Sequence, residues 1–193
     1  ICDLFFVNLF NIISKFFFVV VVDDNSPDGT YESIQEANKN MPNFNSERVH
    51  LIKRFVKDGR GGAVWDGIRW GLSSPHNFEC YVEMDCDFSH DPKSLVNLLE
   101  TCQNQDLVIG SRYIGGIRII NWPFRRLLLS YLASKYIRFV TGIPVQDTTG
   151  GFKCISAKFL KQIDFNKLRS NGYIFQLEIN YKAYCLNQKI KEV

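Results

Sequence analysis

The chain lacks the sequence features that mark several common classes of protein. Its 193 residues include 23 Lys and Arg, but these are dispersed and the net charge is only +3. There is no basic tract that could follow a nucleic-acid backbone, so we expect no nucleic-acid partner. Internal repeats and low-complexity linkers are also absent. The sequence indicates a single domain over residues 1–193.

The cysteine pattern predicts neither a zinc finger nor a disulfide framework. The chain has no CxxC pair and no Cys/His cluster at zinc-binding spacing. Its six cysteines are scattered, at Cys2, Cys80, Cys86, Cys102, Cys154 and Cys185. Cys154 falls within a predicted strand, Cys80 lies directly before another and Cys86 lies between two aspartates, so we expect reduced thiols in a cytosolic setting.

The glycine cluster KDGRGGAVWDG at residues 57–67 lacks the spacing of a phosphate-binding loop, because it matches neither GxxxxGK[ST] nor GxGxxG. Close approach of the backbone to a ligand and a flexible turn both explain it.

The N-terminal segment is apolar over residues 4–22, which approaches the length of a membrane span. Polar residues interrupt it, and the basic region and cleavage site of a secretory signal are missing. We predict a helix over residues 4–14 and a buried strand over 16–22, with a membrane anchor as the alternative.

Continuous apolar runs followed by helical patterns recur along the chain, and 46% of its residues are hydrophobic. Such runs are typical of strands buried on both faces of a parallel sheet. Strands are predicted at residues 16–22, 49–52, 81–84, 107–109, 152–155 and from 189, with helices at 30–40, 59–71, 95–99, 124–141 and 174–186. This order predicts a doubly wound, Rossmann-like α/β domain with a mostly parallel sheet.

The segment YVEMDCDFSHDP at residues 81–92 ends an apolar run with two aspartates one residue apart. Alternate side chains of an extended backbone point the same way, so Asp85 and Asp87 are predicted to converge on one hard cation, with Ser89 at the same parity. Helix capping is the alternative, but Asp91 and Pro92 already supply a helix start. Two adjacent carboxylates repel unless a cation neutralises them, and oxygen ligands favour Mg²⁺ or Mn²⁺ over zinc.

Acidic residues also follow the first strand, in VVDDNSPDGT. Ligands of open α/β sheets bind at the carboxyl ends of strands, where Asp23 and Asp24 are expected to accept from a ribose hydroxyl or a base N–H. The alternative is that they only build a turn and a helix cap.

Four more charged residues are candidates. Arg112 in GSRY follows the fourth strand, and Arg126 opens a long helix, where a cation opposes the helix dipole unless an anion such as phosphate binds there. Asp147 in QDTTGGF and Glu178 in GYIFQLEI are candidate general bases, although an exposed or paired carboxylate also explains Glu178.

Six motifs together resemble the polyprenol-phosphate mannose synthases, or dolichol-phosphate mannosyltransferases, of the family 2 glycosyltransferases. In chain order they are VVDDNSPDGT, EMDCDFSHDP, GSRY, NWPFRR, DTTGGF and SNGYIFQLEI. Each alone is weak, but their joint order and spacing from about Val19 onwards are highly specific. The resemblance implies a GT-A fold that transfers mannose from GDP-mannose, with inversion, to a polyprenol phosphate at the cytosolic face of a membrane.

The resemblance also implies residue roles. Val22 and Asp24 would contact the nucleoside, and the diphosphate and sugar would meet Asp85, Cys86 and Asp87. The cation, Mg²⁺ or Mn²⁺, would lie on Asp87 and Ser89, while phosphates would meet Arg112 and Arg126. A phosphate acceptor is already anionic and needs no general base. The resemblance therefore implies a catalytic set of Asp87, Arg112 and Arg126, and a structural role for the two candidate bases, Asp147 and Glu178.

The sequence departs from the family pattern at both ends. Family members begin with a strand ending in a PTYNE-like motif, which has no counterpart before Phe16, and they continue beyond the final KEV into a basic segment. We therefore expect a domain truncated at both ends with little activity of its own. The alternatives are a polyprenol-phosphate glycosyltransferase that uses a UDP-sugar and an inactive family member acting as a binding partner.

Overall fold

The computed structural model of the chain describes residues 17–40, 48–57, 59–87, 89–114, 124–168, 172 and 174–193. The helix predicted over residues 4–14 lies outside these residues, and so does the side chain of Arg126.

Strands and helices alternate through the described residues, close to the bounds that the apolar runs predict. The strands are β1 (Val19–Asp23), β2 (Val49–Lys53), β3 (Cys80–Glu83), β4 (Leu107–Ile109), β5 (Lys153–Ser156) and β6 (Ile190–Glu192). The helices are α1 (Thr30–Asn40), α2 (Arg60–Ser73), α3 (Ser94–Cys102), α4 (Phe124–Thr141), α5 (Ala157–Leu160) and α6 (Ile174–Cys185), with a 3₁₀ turn at Phe165–Lys167. The short helix α5 and the 3₁₀ turn are additions to the prediction.

The strands form two hydrogen-bonded groups. Strand β1 pairs in parallel with β2. The second group has the order β3-β5-β4-β6, in which β4 and β6 are parallel and β5 runs antiparallel to both β3 and β4. Three strands of this group therefore share one direction, and the predicted α/β fold with a mostly parallel sheet is confirmed. The reversed strand β5 was not predicted, because the apolar run that forms it carries no information about direction.

Both faces of the second group are covered by helices. Leu107 and Ile109 of β4 point into a core with α2 and α6, while Val108 between them points into a second core with α1 and α3. Side chains alternate across a strand, so burial on both faces requires every residue to be apolar. This explains the continuous apolar runs.

Helix α2 connects the two groups of strands. A methyl group added at Gly67 would lie 3.2 Å from Val22 Cγ2 of β1, and one added at Gly71 would lie 2.4 Å from Tyr81 Cε1 of β3. No hydrogen bond joins β1 to β3 among the described residues. A cavity of about 340 Å³ lies between them, lined by apolar side chains at its base and by Arg60, Glu83 and Asp85 at one end.

Gly71→Ala is expected to destabilise the fold, because the new methyl group would overlap the Tyr81 ring at the centre of this contact. Overpacking of this kind costs about 1–3 kcal/mol. Urea unfolding followed by circular dichroism measures the effect. Gly67→Ala is the matched control on the same helix, and we expect little net change there because the overlap is smaller and Ala favours helix by about 1 kcal/mol. Equal effects of the two substitutions would contradict this packing account.

Candidate active site

The carboxyl ends of β3 and β4 lie at one edge of the sheet. The register places Glu83 of β3 opposite Lys153 of β5, which in turn lies opposite Ile109 of β4. Neighbouring strands are about 4.8 Å apart, so the ends of β3 and β4 are roughly 10 Å apart. The Asp85–Asp87 pair and Arg112 follow these two ends, as predicted from the order of motifs.

The DxD pair lies on a bend rather than on an extended strand. Strand β3 ends at Glu83, and the backbone bends at Cys86 and Asp87. The alternation of side chains along an extended strand therefore does not extend to Asp87, and the convergence of the two carboxylates stays a prediction. Asp87 and Cys86 are exposed, whereas Asp85 is partly buried.

Arg60 neutralises the first carboxylate of the pair. Its Nη2 atom lies 2.9 Å from Asp85 Oδ1 and 3.0 Å from Glu83 Oε1. The repulsion expected between Asp85 and Asp87 is thus reduced by a cation within the chain. Arg60 is shared between Asp85 and Glu83, so it compensates only part of the negative charge at this site.

The carboxylate of Asp87 is held by its own turn. Its Oδ1 atom accepts a hydrogen bond of 2.9 Å from the backbone N–H of Ser89. Burial acts to raise the pKa of Asp87, but the hydrogen bonds from Ser89 outweigh it, so the pKa lies below its ordinary value. Asp87 is therefore ionised at neutral pH, and together with the exposed Ser89 hydroxyl it offers oxygen ligands that fit Mg²⁺ or Mn²⁺. Magnesium sites often use only one or two carboxylates and take further ligands from substrate phosphates.

His90 positions the first aspartate, a role that the sequence did not reveal. Its Nδ1 atom accepts a 3.0 Å hydrogen bond from the backbone N–H of Asp85, and its ring stacks on Phe152 at 5.0 Å between centroids. Burial lowers the pKa of His90, which keeps Nδ1 unprotonated at neutral pH and able to accept this bond.

Arg112 is fixed by a buried carboxylate. Asp147 has no exposed surface, and its Oδ2 atom accepts bonds of 2.9 Å and 2.7 Å from the backbone N–H and Nε of Arg112. The Arg112 Nη2 atom donates to Asp147 Oδ1 at 2.5 Å and to Thr149 Oγ1 at 2.8 Å. Such a two-point fork holds the guanidinium plane in one orientation. Asp147 is therefore engaged in positioning an arginine, which agrees with an architectural rather than a general-base role.

Asp24, predicted at a nucleoside contact, lies in an ion pair. Its carboxylate bonds to the Arg54 guanidinium, and its Oδ2 atom accepts a 3.2 Å bond from Gly59 N at the start of α2. The backbone of Gly59 thus approaches a carboxylate of the chain itself, and both explanations of the glycine cluster stay open. Asp23 is buried and accepts from Ser26 N at 3.1 Å, so it builds the turn. Val22 lines the cavity between β1 and β3.

Glu178 on α6 is paired. Its Oε1 atom lies 4.0 Å from Lys182 Nζ, one turn further along the helix. The paired-carboxylate explanation of Glu178 is therefore the one that the structure supports.

A buried polar network under the site was also missed by the sequence patterns. Lys153 has no exposed surface, and its Nζ atom donates to Asn180 Oδ1 at 2.7 Å and to the backbone oxygen of Gln176 at 2.9 Å. Gln176 in turn donates to Glu83. Burial raises the pKa of Glu83 and lowers that of Lys153 to about 7. The sequence does place Lys153 inside the apolar run predicted as a strand over residues 152–155, and a charged residue at such a position indicates a buried polar partner.

The comparisons with known proteins define the class. The Glycosyl transferase family 2 profile matches residues 6–164, so the chain belongs to that family. It is 40% identical over 175 residues to an undecaprenyl-phosphate mannosyltransferase of Micrococcus luteus, covering 91% of this chain and 69% of the relative. It is also 40% identical over 176 residues to a polyprenol monophosphomannose synthase of Mycolicibacterium smegmatis, covering 91% and 64%.

The fold is shared with a mannosyltransferase of Pyrobaculum calidifontis solved with GDP-Man and Mn²⁺. The TM-score is 0.60 at 14% identity, over 100% of this chain and 50% of the other. The chain therefore has the GT-A type of fold and is a family 2 glycosyltransferase. It spans between half and about two thirds of the length of these three proteins.

Lys153→Met is expected to remove a pH dependence of stability. The folded pKa of about 7 lies below the ordinary lysine value of 10.5, so between these values the unfolded chain binds the extra proton. The free energy of unfolding of the wild type should therefore rise relative to the variant from about pH 7 to pH 9, by up to ~1.4 kcal/mol per pH unit. Urea unfolding at several pH values measures this difference. The exposed Lys161→Met is the control and should follow the wild type, whereas a wild type that parallels Lys153→Met would refute the buried-amine assignment.

Proposed function

We propose that the protein transfers mannose from GDP-mannose to a polyprenol phosphate, with inversion and with a divalent cation, through one catalytic domain of residues 1–193. The observation that carries the proposal is the presence of opposite charges at the same end of the sheet. An exposed, ionised Asp87 follows β3, and Arg112, locked by Asp147, follows the parallel strand β4. The names of the two relatives that are 40% identical support mannose and a polyprenol phosphate as substrates.

The donor side of the proposed site lies at the ends of β1 and β3. Val22 and Asp24 are assigned to the nucleoside, and Asp85, Cys86 and Asp87 to the diphosphate and sugar. Asp24 is held by Arg54 and by the N-terminus of α2, so it presents a fixed carboxylate to a base or ribose donor. GDP-Man in the Pyrobaculum structure supports a guanine nucleotide.

A cation fits the oxygen ligands of Asp87 and Ser89, with Asp85 beside them. When bound, Mg²⁺ or Mn²⁺ would offset the charge that develops on the leaving diphosphate. The chain's own contribution is to hold these oxygens in place. Arg60 and His90 fix Asp85, and the Ser89 N–H fixes Asp87.

The acceptor side uses arginines. Arg112 and Arg126 are assigned to phosphates, including that of the acceptor, because a guanidinium keeps its positive charge at neutral pH and donates hydrogen bonds to phosphate oxygens. An acceptor phosphate oxygen attacks the anomeric carbon from the face opposite the leaving group, the bond from that carbon to the GDP oxygen breaks, and GDP departs with the electron pair. The phosphate is anionic at neutral pH and needs no deprotonation. Positioning and charge stabilisation are thus the catalytic tasks of the chain.

Helix α4 exposes apolar side chains and directs polar serines towards the rest of the protein, which supports docking at a membrane surface. Its body-facing stripe contains polar Ser130 and Ser134, which bond to Tyr113 at 2.9 Å and Thr148 at 3.1 Å. Its outward stripe is apolar and exposed, with Leu129, Leu132, Tyr136, Phe139 and Val140. Exposed Arg125, Lys135 and Arg138 accompany this stripe, and apolar surface beside basic residues is typical of helices that lie on anionic membranes.

We therefore propose peripheral association with the cytosolic face of a membrane. None of the helices in the described residues combines the length and the apolar character that crossing a bilayer demands.

Asp87→Ala should lower mannosyl transfer roughly a hundredfold or more, because it removes the charge that holds the cation. Asp147→Asn should cost only about tenfold, since it weakens the orientation of Arg112 without removing the guanidinium. Transfer of radiolabelled mannose from GDP-mannose to polyprenol phosphate measures both. Equal losses would refute the distinction between a cation ligand and a positioning residue, and transfer from UDP-glucose in place of GDP-mannose would favour the alternative donor.

Replacing Phe139 and Leu129 together by Ser should weaken binding to vesicles containing anionic lipid by roughly tenfold, because two exposed apolar anchors are lost. Co-sedimentation with vesicles of phosphatidylcholine and phosphatidylserine measures the change. Ile174→Ser is the control, since Ile174 is equally apolar and exposed but lies at the start of α6. A matching loss with Ile174→Ser, or none with the double variant, would refute docking through α4.

A further inference from the structure

Three of the scattered cysteines come together in the fold. Cys80 is the first residue of β3, Cys154 lies on the neighbouring strand β5, and Cys102 is the last residue of α3. The register pairs Val82 with Cys154, so Cys80 and Cys154 are diagonal neighbours on one face of the sheet. Their three Sγ atoms all lie within 4.8 Å of one another.

The sulfur atoms are close to the arrangement that a tetrahedral metal ion needs. Thiolates bind zinc at about 2.3 Å, which places two ligands of one ion roughly 3.8 Å apart. Each pair of sulfurs therefore has to approach by no more than about 1 Å. All three thiols are reduced, and they are carried by two paired strands and a helix end, which holds them near this geometry without metal.

The cluster is reachable from solvent. A cavity of about 410 Å³ is lined by Cys80 and Cys102, with Asp106, Lys158 and Lys189 on its walls. Cys154 is fully buried behind them. The cavity gives an ion a path of entry and leaves room for a water molecule as a fourth ligand. The two lysines would offset the negative charge that three thiolates leave around a divalent ion.

The ligand type selects the kind of metal. The three mutually close ligand atoms are all sulfur, and thiolates select soft ions such as Zn²⁺ over Mg²⁺ or Mn²⁺.

We propose that Cys80, Cys102 and Cys154 bind one thiophilic divalent cation of the zinc class in a three-thiolate site. The site is distinct from the proposed donor cation site, because Cys80 starts β3 whereas the DxD pair follows the other end of that strand, roughly 10 Å away. The ion links strands β3 and β5 to the C-terminal end of helix α3, which packs against them.

Cadmium is the probe, because thiolate-to-cadmium charge transfer absorbs in the ultraviolet. The reduced protein is titrated with Cd²⁺ in excess Mg²⁺, which occupies oxygen sites. We expect uptake of one Cd²⁺ per chain, protection of three thiols against a thiol reagent and a higher midpoint of thermal unfolding. Uptake without protection of these thiols, or no uptake by the reduced protein, would overturn the proposal.

Cys80→Ala is the test variant, since Cys80 lines the cavity and its loss leaves the buried Cys154 in place. It should weaken Cd²⁺ binding roughly a hundredfold or more, while circular dichroism confirms an unchanged fold. Cys185→Ser is the matched control, an exposed thiol at the end of α6, and should bind as the wild type does. Equal binding by Cys80→Ala and the wild type would overturn the site. So would a mass two hydrogens below that of the reduced chain with no bound ion, which would indicate a disulfide within the cluster.

Discussion

The guanidinium of Arg60 bonds two carboxylates at once, and much of the site depends on this contact. One partner, Glu83, is buried at the end of β3, and the other, Asp85, opens the DxD pair. A methyl group at Gly151 would lie 2.2 Å from Arg60 Nη2, so the DTTGGF loop closes directly over the guanidinium. Helix α2, strand β3 and that loop are therefore fixed to one another through a single charged group. Of the two carboxylates, the Glu83 side chain is the buried one, so removal of Arg60 would leave that buried carboxylate without its ion-pair partner.

Further charged side chains lie beside this contact, at the same end of the sheet. The buried Lys153 lies opposite Glu83 in the β3–β5 ladder, and the Asp147–Arg112 fork follows at the end of β4. Within the described part of the chain, the buried charged side chains Asp23, Asp147 and Lys153 each have a hydrogen-bond partner, which offsets the cost of burying them. With Asp85 paired to Arg60, Asp87 is the exposed carboxylate of the DxD pair, and the proposed donor cation would be held chiefly by it.

The sequence predicted the elements well because apolar runs report local burial. The strands at Val49–Lys53 and Leu107–Ile109 and the helix at Phe124–Thr141 follow directly from such runs. The reversal of β5 depends on pairing between distant segments, which a local pattern does not contain.

The same limit hid several contacts of the site. Cys80, Cys102 and Cys154 are far apart in sequence and meet only through the β3–β5 ladder and the packing of α3. Arg60 lies in a glycine cluster that the sequence patterns explain through its backbone alone. His90 directly precedes the predicted helix start at Asp91 and Pro92, and no pattern assigns it a contact. The exposed Asp87 and the arginine after β4 could be predicted, because strand ends in such sheets carry ligands.

Manganese binding in the presence of GDP tests the central claim most directly, namely that Arg60 neutralises Asp85 and leaves Asp87 to hold the cation. Calorimetric titration of Mn²⁺ into the wild type, Asp87→Asn and Asp85→Asn, each saturated with GDP, separates the two carboxylates. We expect Asp87→Asn to lower Mn²⁺ affinity at least about tenfold, while the affinity of Asp85→Asn stays within roughly threefold of the wild type. A greater loss with Asp85→Asn than with Asp87→Asn would contradict it.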